Sequence, residues 1–108
     1  MNKIKDLRNS ISVLLTQHYP CFEYKGHGMN IGFWETPEMV NMTKTIGSFV
    51  CMARFRLSVF IPTKDGMQIK VEMFAHSVYE WETMFEGYIK DISELKHILS
   101  FQLGIKIN

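Results

Sequence analysis

Two neighbouring stretches of the chain carry an apolar residue at every second position. In the stretch 49–61 every odd-numbered residue is apolar, and the same holds for Met67–Ala75. A period of two is the period of a β-strand with one buried face. The intervening Lys64-Asp65-Gly66 is typical of a turn, so the sequence predicts a long β-hairpin.

The register of this hairpin follows from the faces of its residues. Residues directly opposite each other share a face, so odd positions must pair with odd positions. A three-residue loop with Gly66 at the left-handed bulge position meets this condition. It pairs Val59 with Val71 and Leu57 with Met73. A slip of one residue would expose the whole apolar face, so we expect the faces to be firmly set.

Helical spacing of apolar residues marks both ends of the chain. From about Ile4 to His18, apolar residues recur at steps of three and four, and Pro20 prevents continuation. From Ser77 to Leu103 the same steps predict one long C-terminal helix, with these apolar positions: Trp81, Phe85, Tyr88, Ile92, Leu95 and Leu99. Gly87 interrupts this helix, so a kink or a split into two helices is the alternative to a straight one. A straight helix of this length would measure about 40 Å, so we expect part of it to reach a partner chain.

The segment 21–46 contains a shorter hairpin and an ambiguous stretch. Alternation around Gly26-His27-Gly28 predicts a hairpin that pairs Tyr24 with Ile31 and buries Phe33; a four-residue loop is the alternative. Residues 37–46 begin with a helix-start signal, Thr36 before Pro37, and we predict a short helix. A strand is the alternative, since the β-branched residues of this segment include Val40, Thr43 and Thr45.

These elements predict a single domain, 1–108, of the α+β class. We expect a single antiparallel sheet of about four strands, with the N- and C-terminal helices packed on one face. Hydrophobic residues make up 46% and charged residues 21%, which excludes a disordered chain. No apolar run approaches the roughly 20 residues that span a bilayer, and the start lacks a secretory apolar region. We therefore expect no membrane contact and a cytoplasmic protein.

Candidate chemistry is sparse. Cys21 and Cys51 do not form a disulfide framework and are expected to be free thiols. His18, Cys21 and His27 are ligand types for zinc, or a base and a nucleophile, but their spacing matches no standard site. We predict no metal, no cofactor and no enzyme activity. The chain has only two alanines against eight methionines, and isoleucine and lysine are abundant. This composition is typical of an AT-rich gene, so we expect a bacterial or phage accessory protein.

The even positions of the long hairpin are the candidate binding surface. Its residues are Met52, Arg54, Arg56, Phe60, Lys70 and Phe74. Arginine, methionine and aromatic residues are enriched at protein interfaces. Cations mixed with aromatic rings also bind single-stranded nucleic acid. A solvated face, or one covered by the middle helix, is the interpretation without function.

Net charge decides between the two binding interpretations. The formal charge is only +1, and Glu72 lies within the candidate surface, both of which disfavour nucleic acid. The leading hypothesis is a small protein-protein interaction module, an adaptor, inhibitor or immunity-type protein, and a homodimer. Binding of RNA or single-stranded DNA through the basic and aromatic face is the alternative.

Overall fold

The computed structural model describes residues 3–37, 40–46, 49–75 and 79–103. The chain begins with helix α1 (Lys3–His18), continues through six strands, and ends in a helix, α2 (Ser93–His97), which runs into a π-helical segment, Ile98–Leu103. The strands are β1 (Glu23–Gly26), β2 (Gly32–Glu35), β3 (Val40–Ile46), β4 (Phe49–Val59), β5 (Met67–Ala75) and β6 (Glu80–Ile89).

All strand pairs are antiparallel and belong to one sheet. The order is β1-β2-β4-β5-β6, and β3 pairs with the start of β4. The predicted α+β class, with one antiparallel sheet and terminal helices, is therefore confirmed, with more strands than the four expected. β2 and β3 pair with successive segments of β4, at Arg56–Val59 and at Phe49–Ala53.

Side chains from both helices and from the odd positions of the long hairpin form the core. Its fully buried members include Ile11, Leu15, Phe55, Leu57, Val59, Ile69, Val71, Leu95 and Leu99. The α1 stripe is confirmed, and so are the odd-inward faces over the described side chains of β4, 53–59, and of β5, 67–73. The Tyr19 hydroxyl, just after α1, contacts Ser100 and the Lys96 carbonyl, so it joins the two helices on this one side. None of the helices described here combines the length and apolar character needed to cross a bilayer.

The hairpin register is shifted by two residues from the prediction, which leaves the faces unchanged. Val59 pairs with Ile69 and Leu57 with Val71. The connection is longer than expected because Thr63 and Gly66 exchange backbone hydrogen bonds of 2.9 and 3.1 Å in a tight turn of their own. Ile61, expected in the core, lies outside the strand and is 45% exposed.

The predicted face of β2 is wrong. Tyr24 pairs with Trp34 rather than Ile31, and Trp34 is buried while Phe33 points to the opposite side, across from Ser58. The indole of Trp34 is the larger apolar group, so its burial removes more surface from water. Ile31 is buried as expected, although it precedes the strand.

Gly32 leaves the space in which the Trp34 ring lies. A methyl group on Gly32 would stand 2.6 Å from a carbon of the indole. We expect Gly32→Ala to lower the free energy of unfolding by about 1–3 kcal/mol, measured by urea denaturation, because the ring must move within a packed core. Gly87→Ala is the comparison: its nearest neighbour is the ring of Phe85 at 3.0 Å, which is only half-buried, so we expect a smaller loss than at Gly32. A neutral Gly32→Ala would contradict this packing.

Residues 40–46 form a strand, so the predicted short helix is wrong and its alternative is correct. β3 pairs with β4 through Val40 opposite Ala53 and Ile46 opposite Phe49. The β-branched residues suit a pleated strand, and a partner strand follows directly in the chain.

The predicted long C-terminal helix is wrong over residues 80–89, which form β6. The apolar residues of β6 that are spaced as in a helix lie on both faces of this strand, which has a bulge at Met84. Before it, Trp81 lies opposite Phe74; after it, Phe85 lies opposite Val71 on the other face of the sheet. Tyr88 lies again on the face of Trp81, so the steps of four and three join residues on opposite faces of one strand rather than along a single helical stripe. The expectation of a helix that reaches a partner chain therefore loses its basis.

Candidate functional site

The sheet face opposite the helices carries most of the predicted binding surface. We call this the outer face, and its described members include Phe33, Glu35, Arg54, Arg56, Ser58, Gln68, Lys70, Glu72, Phe74, Trp81, Thr83, Glu86 and Tyr88. Both described helices contribute side chains to the core on the other side of the sheet. The outer face is therefore left uncovered by α1 and α2.

Four of the six predicted surface residues lie together on the outer face. Arg54 faces Phe74, and Lys70 faces Ser58 across the strand pair. Arg56 faces Glu72 rather than Phe74, because the register is shifted by two residues. All four predicted residues are half-buried, as expected for side chains that lie against one another on a sheet.

The other two predicted residues have different positions. Phe60 follows the end of β4, and its backbone N–H donates to the Gln68 carbonyl at 2.9 Å, so it extends the register by one residue. Met52 pairs through its backbone with Asn41. The Met52 side chain lies outside the described part of the chain.

Two carboxylates hold the arginines in place. Arg56 lies between Glu35, with a nitrogen–oxygen distance of 3.5 Å, and Glu72, at 3.1 Å. Arg54 pairs with Glu35 at 3.6 Å and donates to the Thr36 carbonyl at 3.2 Å. These side chains form a row of alternating positive and negative charges. Exposed pairs contribute at most about 1 kcal/mol each, so the main effect of this row is to fix the two guanidinium groups.

Aromatic rings complete the support of the arginines. The Arg56 guanidinium carbon lies 4.2 Å from the centre of the Trp81 ring, and that of Arg54 lies 5.7 Å from the same centre. Trp81 and Phe74 meet edge to face, with centroids 5.4 Å apart. These distances are within the range of cation–π and aromatic pair interactions. We call these four residues the Arg–Trp cluster: Arg54, Arg56, Phe74 and Trp81.

Two members of the site were missed by the sequence analysis. Trp81 was assigned to a helix, and Glu35 was placed only beside a helix start. The alternation Glu80-Trp81-Glu82-Thr83 is a period-two signal, but it ends at the bulge after four residues. Glu35 carries no local signal, because its role depends on Arg54 and Arg56 in a strand that is distant along the chain.

An open depression of about 400 Å³ lies beside the cluster on the outer face. Its lining residues are Lys25, Phe33, Glu35, Arg56, Ser58, Lys70 and Glu72. Three cations and two carboxylates share this space. Such a lining suits a polar side chain that both donates and accepts hydrogen bonds, rather than a ligand of a single charge.

The structure describes the surroundings of Cys21 and His27, two of the three residues considered for a metal or thiol site. Cys21 is half-buried, and this burial raises the pKa of its thiol, which disfavours the reactive thiolate. His27 Nδ1 lies 2.8 Å from the Tyr24 hydroxyl, within hydrogen-bonding distance. Among the described residues, no three side chains of histidine, cysteine or acidic type are grouped as a metal site would need.

The chain was compared with known protein families, curated proteins and solved structures. No protein family matches the chain, and neither a curated protein nor a solved structure does. The chemistry of the outer face must therefore be judged from its own residues.

Proposed function

We propose that the protein is a small protein-interaction module, of the adaptor, inhibitor or immunity type, that binds a partner protein through the outer face. The Arg–Trp cluster, on a sheet face that neither described helix covers, is the observation that carries the proposal. Tryptophan and arginine are the residues most enriched among those that dominate binding energy at protein interfaces. The module is proposed to act in the cytoplasm, without catalysis.

Preorganisation adds to this argument. Binding normally costs the conformational entropy of the side chains that become fixed at the interface. Arg56 is already held by two carboxylates and the Trp81 ring. Its side chain therefore loses less freedom when a partner covers it, and its remaining N–H groups are presented in a defined direction.

Nucleic-acid binding remains the alternative, and the ion pairs make it less favourable. A phosphate approaching Arg56 would meet Glu35 at 3.5 Å and Glu72 at 3.1 Å from that guanidinium. Repulsion from these carboxylates opposes the phosphate contacts that dominate nucleic-acid affinity. A base that stacks on Trp81 would also compete with the Arg56 guanidinium for the ring.

Homodimer formation remains part of the proposal on different grounds. The long helix that first suggested it is absent from residues 80–89. The outer face offers another route, because an alternating row of cations and carboxylates can complement its own copy about a two-fold axis.

The test compares the wild type with Arg56→Ala/Phe74→Ala. We expect the wild type to capture a defined protein from its native lysate, or to dimerise in sedimentation, and the variant to lose that contact. Lys64→Ala/Met29→Ala is the matched control, since it removes an exposed cation and a 90% exposed methionine elsewhere. It should behave as the wild type does.

Two results would overturn the proposal. The first is that the wild type is monomeric at high concentration and captures the same proteins from the lysate as the variant does. The other is salt-sensitive binding of a single-stranded oligonucleotide that the Arg56→Ala/Phe74→Ala variant loses, which would establish the nucleic-acid alternative.

A further inference from the structure

β6 is the outermost strand on one side of the sheet. It is 10 residues long and pairs with β5 along one edge. In the described part of the chain, no strand pairs with its other edge. A free strand edge presents unpaired N–H and C=O groups, which can hydrogen-bond to another extended chain.

The bonds of β4 identify which groups of β6 are free. Phe60 N–H donates to the Gln68 carbonyl, so even-numbered residues of β5 point their backbone groups toward β4. Odd-numbered residues such as Met73 then point toward β6, where Met73 lies opposite Glu82. Backbone groups of Glu82 are therefore used by β5, and those of its neighbours Trp81 and Thr83 point away from the sheet.

Side chains give this edge a distinct charge. β6 contains Glu80, Glu82 and Glu86 and no cation. None of these carboxylates forms an ion pair with a described residue; the nearest cation across the strand pair, Lys70 opposite Glu86, pairs with Glu72 instead. Glu80 and Glu82 are exposed, so their charge faces whatever lies along the edge.

We propose that the segment 80–83 of β6 binds an extended, basic segment of another protein by strand addition. Lysine or arginine at alternate positions of that segment would face Glu80 and Glu82, and apolar residues between them would lie along Trp81 and Thr83. This contact goes beyond the outer-face function, since it uses the backbone of the sheet edge. It shares Trp81 with the Arg–Trp cluster but needs no partner over the two arginines.

The charge of β6 and its bulge favour a short basic segment over a second copy of β6 as the partner of this edge. A second copy of β6 would place carboxylates against carboxylates, and like charges on opposite strands are destabilising. The bulge at Met84 breaks the regular ladder, so pairing is limited to a short segment. A short contact implies weak binding and rapid exchange.

The probe is a capped peptide of alternating lysine and valine, observed by NMR and by amide hydrogen exchange. At saturation we expect exchange of the Trp81 and Thr83 amides to slow by about tenfold, as hydrogen-bonded amides do, while that of Glu82 changes little. Glu80→Lys/Glu82→Lys should lower the affinity for the peptide about tenfold, because two attractive cross-strand pairs become repulsive.

Control variants and peptides separate strand addition from simple charge attraction. Glu23→Lys/Asp65→Lys makes the same change of charge at exposed positions away from β6 and should bind the peptide as the wild type does. Phe33→Ala, which changes the outer face on β2 and away from β6, should also bind it, which distinguishes this edge from the outer face. Equal binding of a backbone N-methylated peptide, equal binding of a glutamate–valine peptide, or unprotected Trp81 and Thr83 amides would each overturn the proposal.

Discussion

Replacing Trp34 with alanine is expected to lower the free energy of unfolding by about 3–5 kcal/mol, the range for a large aromatic residue removed from a core. Trp34 is 1% exposed, and its indole N–H donates to the Ser12 hydroxyl at 3.1 Å. The ring therefore joins β2 to α1 by both packing and a hydrogen bond. Since a domain of this size is stable by roughly 5–15 kcal/mol, the variant should unfold at much lower urea concentrations.

Phe33→Ala is the matched control, because Phe33 is the adjacent aromatic residue and points to the outer face. It is only partly buried, so we expect a loss below about 1.5 kcal/mol. The reverse order of effects would contradict the structure. It would mean that Phe33 occupies the core and that β2 has the face predicted from its sequence.

Long, uninterrupted alternation made the central hairpin predictable. β4 and β5 are 11 and 9 residues long, so their period of two is repeated often enough to exclude a helix. The register could be predicted only to within two residues. A shift of two keeps every side chain on the same face, so burial alone cannot distinguish Leu57 opposite Met73 from Leu57 opposite Val71.

Short or interrupted strands could not be predicted in the same way. β2 has only 4 residues, and the adjacent Phe33 and Trp34 make either face plausible on hydrophobicity. Burial was decided by volume and by the space at Gly32, which are properties of the packed core. In β6 the bulge changes the alternation at Met84, and the remaining spacing matches a helix equally well.

The sequence predicts the parts of the candidate site that depend on the alternation of side chains along one strand. It does not predict the parts that depend on which other strands lie alongside. Arg54 and Arg56 occupy even positions of a long strand, so their face followed from the pattern. Their partners lie on strands whose placement the pattern did not reveal: Glu35 on β2 and Trp81 on β6. Sequence alone therefore identified the cations but not the groups that hold them.

Trp81→Ala is expected to weaken binding of the outer-face partner by at least about 30-fold, a loss typical of a tryptophan at the centre of an interface. Trp81 contacts Phe74 edge to face and lies under both arginine side chains. Its removal takes away contact area and also releases Arg54 and Arg56 from their fixed orientations. We expect most of the loss of affinity to appear as faster dissociation, measured by surface plasmon resonance with the captured partner.

Tyr88→Ala provides the comparison that makes this result specific. Tyr88 lies on the same strand and the same outer side, opposite Gln68, and is 53% exposed. It makes no ring or cation–π contact with the Arg–Trp cluster, so its removal should change affinity less than about threefold, as expected for residues outside the few that dominate binding. If Tyr88→Ala and Trp81→Ala weaken binding equally, affinity depends on exposed aromatic area rather than on the cluster. In that case the fixed arginines are not what the partner recognises.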